Sequence, residues 1–319
     1  MSGLSDSLLP VAILVYTLAM LGYAVEYAFS SSRGAPSRQL VTVGAGGPPS
    51  RTTEAEPRNR AALGGKIALV LTWLGAAAHL GTIVTRGIAA ERMPLGNMYE
   101  FVVFGCFVAI ASWLGIVTRR PNLRHLGLYA TLVVVLLLGI AATTLFTPVG
   151  PLVPALDSYW LAIHVTAASI SSGVFLIGFV PAVLFLIRNK YERLTAGVPE
   201  REVYLKFPVS LGAKLPRSEV LERLTFRIHV FAFPIWTFAG ISGAIWAEAA
   251  WGRYWGWDPK EVWLFISWVV YAGYLHARAT PSVRRTTAIW IAIIGWVTML
   301  VNLFGINFMV EGLHSYAGL

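Results

Sequence analysis

Only one cysteine, Cys106, occurs among the 319 residues. A lone thiol excludes an intramolecular disulfide, a CxxC redox pair and a thiolate metal cluster, so any thiol chemistry must draw its sulfurs from another protein. Cys106 falls inside an apolar run and reads as a small buried hydrophobe. Charge is equally scarce: Asp, Glu, Lys and Arg make up 13% of the chain, against roughly a quarter in soluble domains. The opening segment "MSGLSDS" contains no Lys or Arg. It lacks the basic leader of a cleavable signal peptide, so the first apolar run is expected to stay as a membrane span.

What is abundant is apolar surface. The chain is 56% hydrophobic with a mean hydropathy of +0.65, and its apolar runs approach the ~20 residues that a helix needs to cross a bilayer. An all-α polytopic membrane protein follows, because helices satisfy their own backbone hydrogen bonds in lipid. Eight spans are expected: Leu8–Phe29, Lys66–Thr85, Asn97–Val117, Leu126–Phe146, Tyr159–Ile187, Phe226–Ala247, Val262–Ala279 and Thr287–Val310. Counting each basic residue with its nearest loop, 21 of the 25 Lys and Arg fall on one side and 4 on the other. The positive-inside rule makes the rich side cytoplasmic, with both termini outward. The +9 net charge is thereby a topology signal rather than a nucleic-acid signal.

Two cytoplasmic segments separate spans. Residues 30–65 are rich in Ser, Gly, Pro and Arg and read as a disordered linker; the remainder, 66–319, reads as one transmembrane domain. Residues 188–225 are strongly basic, and "LPRSEVLERLTF" within them suits a short amphipathic helix at the membrane surface, capped by Ser218.

The most unusual stretch is "AEAAWGRYWGWDPKEVW", Ala247–Trp263, in the outward loop 248–261. Part of it is ordinary. Asp258 as N-cap, Pro259 at the first helical position and Glu261 three residues past the cap form a capping box, and Trp246, Trp263 and Trp268 suit an interfacial belt. The rest is not. Trp251, Tyr254 and Trp255 are spaced to share one face of a helical turn, with Gly252 and Gly256 leaving a smooth strip beside them and Trp257 following. Such a shelf suits a large planar molecule: a porphyrin, a quinone or another fused ring system. Six histidines are available. His125 reads as solvated in a basic loop. His164, one turn into the fifth span, and His314, just past the eighth, both lie at the level of this loop, where two imidazoles could ligate one porphyrin iron from opposite faces. A histidine within a span is ordinarily a packing residue; the pair beside an aromatic shelf is what makes these two candidates. His276 lies near the opposite end of the seventh span.

With these residues in view, "WGRYWGWDPKEVW" resembles the tryptophan-rich WWD signature of haem-handling proteins in cytochrome c maturation. "MPLGNMYEF", "SYWLAIHV", "YLHAR" and "NLFGINFMVEGLHSYAGL" are similar, in order over residues 79–319, to the CcsA-type (ResC-type, in some bacteria CcsB) subunit of the System II cytochrome c synthase. The resemblance implies that His164 and His314 are axial ligands of haem b, that Trp251, Gly252, Trp255, Gly256, Trp257 and Asp258 form its platform, and that His276 serves a second haem site. It implies haem lyase activity joining haem to the CxxCH motif of apocytochrome c, with a ResB-type membrane subunit as partner and thiol-reducing proteins upstream. Since this chain carries no large extra domain, that partner is expected to be a separate polypeptide. His79 matches a position where related sequences often carry histidine, and His229 matches no motif. A haem transporter without ligase activity and a b-type electron-transfer subunit remain as alternatives. The topology is testable: fluorescent-protein fusions inserted near residues 45 and 200 are expected to fluoresce as cytoplasmic reporters, while a fusion after Leu319 should be active only as an exported reporter. The reverse pattern contradicts the orientation.

Overall fold

A computed structural model describes residues 2–29, 55–152, 158–197, 205–310 and 312–313. Eight long helices dominate: α1 (Ser2–Phe29), α2 (Ala55–Ala90), α3 (Met98–Arg119), α4 (Gly127–Thr144), α5 (Tyr159–Thr195), α6 (Ser218–Trp251), α7 (Pro259–Ala279) and α8 (Arg285–Leu300). A π turn over Val301–Gly305 leads into the short α9 (Ile306–Met309). Among the described residues there is no strand. The protein is thus an all-α polytopic membrane protein, and each expected span coincides with a helix.

Among the described residues, seven helices are long and apolar enough to cross a membrane. The exception is α7, which at 21 residues has the length but carries Lys260, Glu261, His276 and Arg278. Several helices overrun the expected spans. The first turns of α2, from Ala55, occupy part of the region expected to be linker; the linker's remaining residues, 30–54, lie outside the described ones. The surface helix expected in the 188–225 region is instead the start of α6, continuous with the sixth span from Ser218. Leu221 and Leu224 there are buried against the bundle. Ser218 caps nothing, because its hydroxyl donates to Glu192. The preceding basic segment is also docked rather than lipid-facing. Lys214 donates to the terminal carbonyls of α1 at Tyr27 and Ala28, satisfying acceptors that a helix C-terminus leaves open, and Arg188 holds Gly212 O. His125, expected in solvent, is buried in a 3-10 turn over Pro121–Leu126.

The bundle has two halves. α1 and α2 pair, with α4 and α3 against them; α6, α7 and α8 gather around α5. The two halves meet where α3 crosses α5, and Cys106 is buried in that half-to-half core. At the crossing, a methyl group on Gly173 would collide with Gly105 O and Val108, so the backbones touch in the manner of small-residue membrane interfaces. Gly139 on α4 has open space around it. Gly173→Val is expected to destabilise the solubilised protein by about 1–3 kcal/mol through overpacking, read as a lower thermal unfolding midpoint, whereas Gly139→Ala should leave the midpoint unchanged. Equal behaviour of the two variants would contradict the close crossing.

Candidate functional site

At the Trp-rich end of the bundle, α3, α5, α6, α7 and α8 splay around a cavity of about 220 Å³ that is open at its mouth. His164, Trp246, Trp251, Tyr254 and Trp255 line it, with Trp236 and Trp296 deeper and Gly96, Asn97 and Met98 on the α3 side.

His164 sits in the second turn of α5, and its ring is held on two sides. Nδ1 lies 2.8 Å from the Ala239 carbonyl; a carbonyl can only accept, so Nδ1 carries the proton and Nε2 is the unprotonated nitrogen of the neutral ring. This backbone-anchored tautomer is the arrangement that metal-ligating histidines use. Trp246 stacks on the other side, with centroids 6.0 Å apart and planes 15° from parallel. Gly243 makes the fit possible, since a Cβ there would come within 2.7 Å of the ring. Trp246 is therefore not the belt residue expected: it is 2% exposed and supports His164 from inside the bundle.

The Trp-rich loop has a different shape from the helical turn expected of it. α6 ends at Trp251, and Gly252 takes the left-handed conformation (φ +70°), donating its N–H to Glu248 O. This is a glycine-terminated helix end, after which the chain runs irregularly to Asp258. Trp251 packs edge-on against Trp246, and Trp255 reaches the cavity. Gly256 leaves no smooth strip, for the Arg253 guanidinium lies where its side chain would be. Trp257 (φ +59°) projects outward, 71% exposed, in edge contact with Trp255. Of the sequence candidates, the fold thus brings His164, Trp251 and Trp255 to the cavity wall, while Gly252, Gly256, Trp257 and Asp258 form the loop behind it.

Asp258 is the N-cap expected, in a capping box with Glu261. Its second oxygen accepts from Leu313 N at 2.8 Å, tying down the segment just before His314. His314 itself lies outside the described residues. His276 is exposed near the far end of α7, away from the cavity. His79 and His229 are both buried: His79 between Tyr16 and the Val103 carbonyl, His229 on the Thr225 carbonyl among Phe175, Tyr271 and Tyr274.

Cavity residues that sequence reasoning did not single out include Lys260 and Asn302, and Glu261, expected only as part of the cap, lines it too. The quoted motifs nonetheless converge here: "MPLGNMYEF" supplies Leu95–Met98 and Phe101, and "NLFGINF" supplies Asn302, Leu303 and Asn307. Glu100 secures the former. Its carboxylate accepts from Arg86 Nε, Arg92 Nη1 and Gly96 N at 2.7–2.8 Å, and Arg86 in turn donates to Thr147 O. One buried carboxylate therefore sets the loop that forms one wall.

The profile of the family described as "Cytochrome C assembly protein" matches residues 95–314. The "Cytochrome c biogenesis protein CcsA" of Guillardia theta is 34% identical over 242 residues, covering 74% of this chain and 80% of the relative. That of Prochlorococcus marinus is 35% identical over 252 residues, covering 73% and 78%. A solved structure, "Cytochrome c Heme Lyase CcmF", superposes on 98% of this chain with a TM-score of 0.65 at 13% identity, a likeness of fold alone. This chain spans 47% of that protein.

Removing the Glu100 carboxylate leaves two guanidinium groups without their counter-charge. Glu100→Ala is expected to cost about 3–5 kcal/mol and to open residues 87–96 to proteolysis, with Glu100→Gln intermediate. An unchanged unfolding midpoint and cleavage pattern would contradict the clamp.

Proposed function

Since this chain belongs to the cytochrome c assembly protein family, we propose that it binds haem in the cavity at its Trp-rich end and presents it for covalent attachment to apocytochrome c. Haem is here the substrate, and thioether formation is the reaction: each cysteine thiol of a CxxCH motif adds across one haem vinyl group, the sulfur bonding to carbon and the hydrogen ending on the neighbouring carbon. No external electron is needed. The observation that carries the reading is His164, with its proton held on Nδ1 by the Ala239 carbonyl and its ring braced by Trp246 in an aromatic cavity wall. The aromatic lining and the open mouth of the cavity suit the flat face of a porphyrin.

His164 supplies one axial nitrogen and His314 the second; Trp251 and Trp255 cover a ring face, and the Asp258–Leu313 bond brings the chain before His314 toward the loop. The incoming CxxCH histidine replaces one of the two, which aligns its thiols at high effective concentration. The reducing equivalents that keep those thiols free come from separate proteins, because Cys106 is buried in the bundle core. A ResB-type membrane subunit completes the site, which the distribution of basic residues turns to the outer face of the plasma membrane. His276, at the opposite end of α7, serves a second haem position on the entry side.

Co-expression with a ResB-type partner and a reporter apocytochrome tests this. His164→Ala and His314→Ala are each expected to lower covalently bound haem by at least about tenfold, the scale of losing a metal-orienting group; undiminished product in both sinks the assignment. A His314→Ala complex that keeps haem but makes no thioether counts against a haem carrier. Absence of haem absorption from the purified wild-type complex contradicts haem binding altogether.

A further inference from the structure

Among the described residues, the cavity wall contains an ammonium with donors left over. Lys260 and Glu261 are the charged residues among its described lining, and their partners differ greatly. Glu261 Oε2 accepts from Gly256 N and Asp258 N, and Oε1 faces Arg253 at 3.9 Å. Asp258 is occupied by the α7 N-terminus and Leu313 N. The Lys260 ammonium makes one long hydrogen bond, 3.3 Å, to the neutral Asn302 carbonyl. An ammonium has three donors; among the described residues Asp258 lends it charge but no hydrogen bond, and leaving donors unmet in an apolar wall is costly.

Asn302 lines the cavity within the π turn, and its backbone carbonyl is what holds the ammonium at the wall.

We propose that Lys260, held at the wall by the Asn302 carbonyl, is the carboxylate-recognition point of this cavity, and that it binds an acidic side arm on the edge of the planar ligand. This rests on the haem reading above, where the side arm is a haem propionate. Pairing at one edge fixes rotation of the macrocycle in its own plane, which iron ligation by histidine leaves free. The opposite edge is thereby selected for the mouth of the cavity. Lys260 is a specificity residue in this scheme, acting on which porphyrin edge is presented rather than on bond making.

The test is an absorption titration of the solubilised full-length chain with ferric haem and with its dimethyl ester. Wild type is expected to bind the diacid about tenfold more tightly than the ester, the order of one charge-assisted hydrogen bond. Lys260→Met should bind the ester as wild type does, which reports an intact cavity, yet bind the diacid no better than the ester. Lys260→Arg should restore the preference. Equal affinity of wild type for diacid and ester, or a preference that survives in Lys260→Met, overturns the assignment while leaving the haem site standing. Failure of wild type to bind either porphyrin overturns the haem site and this inference together.

Discussion

Two carboxylates three residues apart, Asp258 and Glu261, hold the functional end of this protein together. As a capping box they satisfy orphan N–H groups at the start of α7, which any well-made helix would require. Here each carries a further load. Glu261 reaches back to Gly256 N as well as to Asp258 N, bracing the last residues of a loop with no regular hydrogen bonding of its own. Asp258 reaches forward to Leu313 N across the gap between the loop and the C-terminal segment. The loop, the head of α7 and the approach to His314 thus share one knot. Trp257 depends on it, because a non-glycine residue at φ +59° is held in a sparsely populated region only where its surroundings over-determine it.

Electrostatics at this end follow the same economy. Arg86, Arg92, Arg253 and Lys260 are its four basic residues. Three are turned toward carboxylates: Arg86 and Arg92 toward Glu100, Arg253 toward Glu261. All three serve to set backbone behind the cavity, through Gly96 in one case and Gly256 in the other. Lys260 differs because its nearest acceptor is a neutral carbonyl. At an end of the molecule with so few cations, the one that reaches the cavity without a carboxylate bonded to it stands out from those that are structural.

How much of this could be read in the sequence divides along the range of the interactions involved. Spans were legible because crossing lipid imposes a length and an apolar composition on each helix independently of its neighbours. The α7 cap was legible because Asp258, Pro259 and Glu261 act on their own backbone. Helix ends beyond the bilayer were not, since the extension of α6 to Ser218 rests on Leu221 and Leu224 packing against other helices. Trp246 was placed in the interfacial belt because its contact with His164 joins α6 to α5 and leaves no local trace. The Trp-rich loop was given a helical turn by its i, i+3, i+4 spacing, and Gly252 ended that helix at once. Aromatic composition correctly pointed to the place, while its geometry was set by glycine conformation and by carboxylates outside the aromatic run.

The π turn at Val301–Gly305 shows how a bundle built for lipid makes a polar contact without exposing backbone. Ile306 N–H reaches back five residues to Val301 O, where a regular α-helix would send it four residues back to Asn302. The Asn302 carbonyl is thereby released from that bond, and Lys260 takes it. The distortion widens the helix by one residue where α8 meets the cavity, bringing Asn302 and Leu303 into the wall. Such turns recur at functional sites because they reposition side chains at the cost of a single irregular bond. Apolar helix faces elsewhere can exchange one aliphatic residue for another with little consequence, which accounts for a fold shared at 13% identity with a TM-score of 0.65. The Asp258–Glu261 knot and the Glu100 clamp are less free, since each depends on particular side-chain acceptors meeting their donors at one end of the bundle.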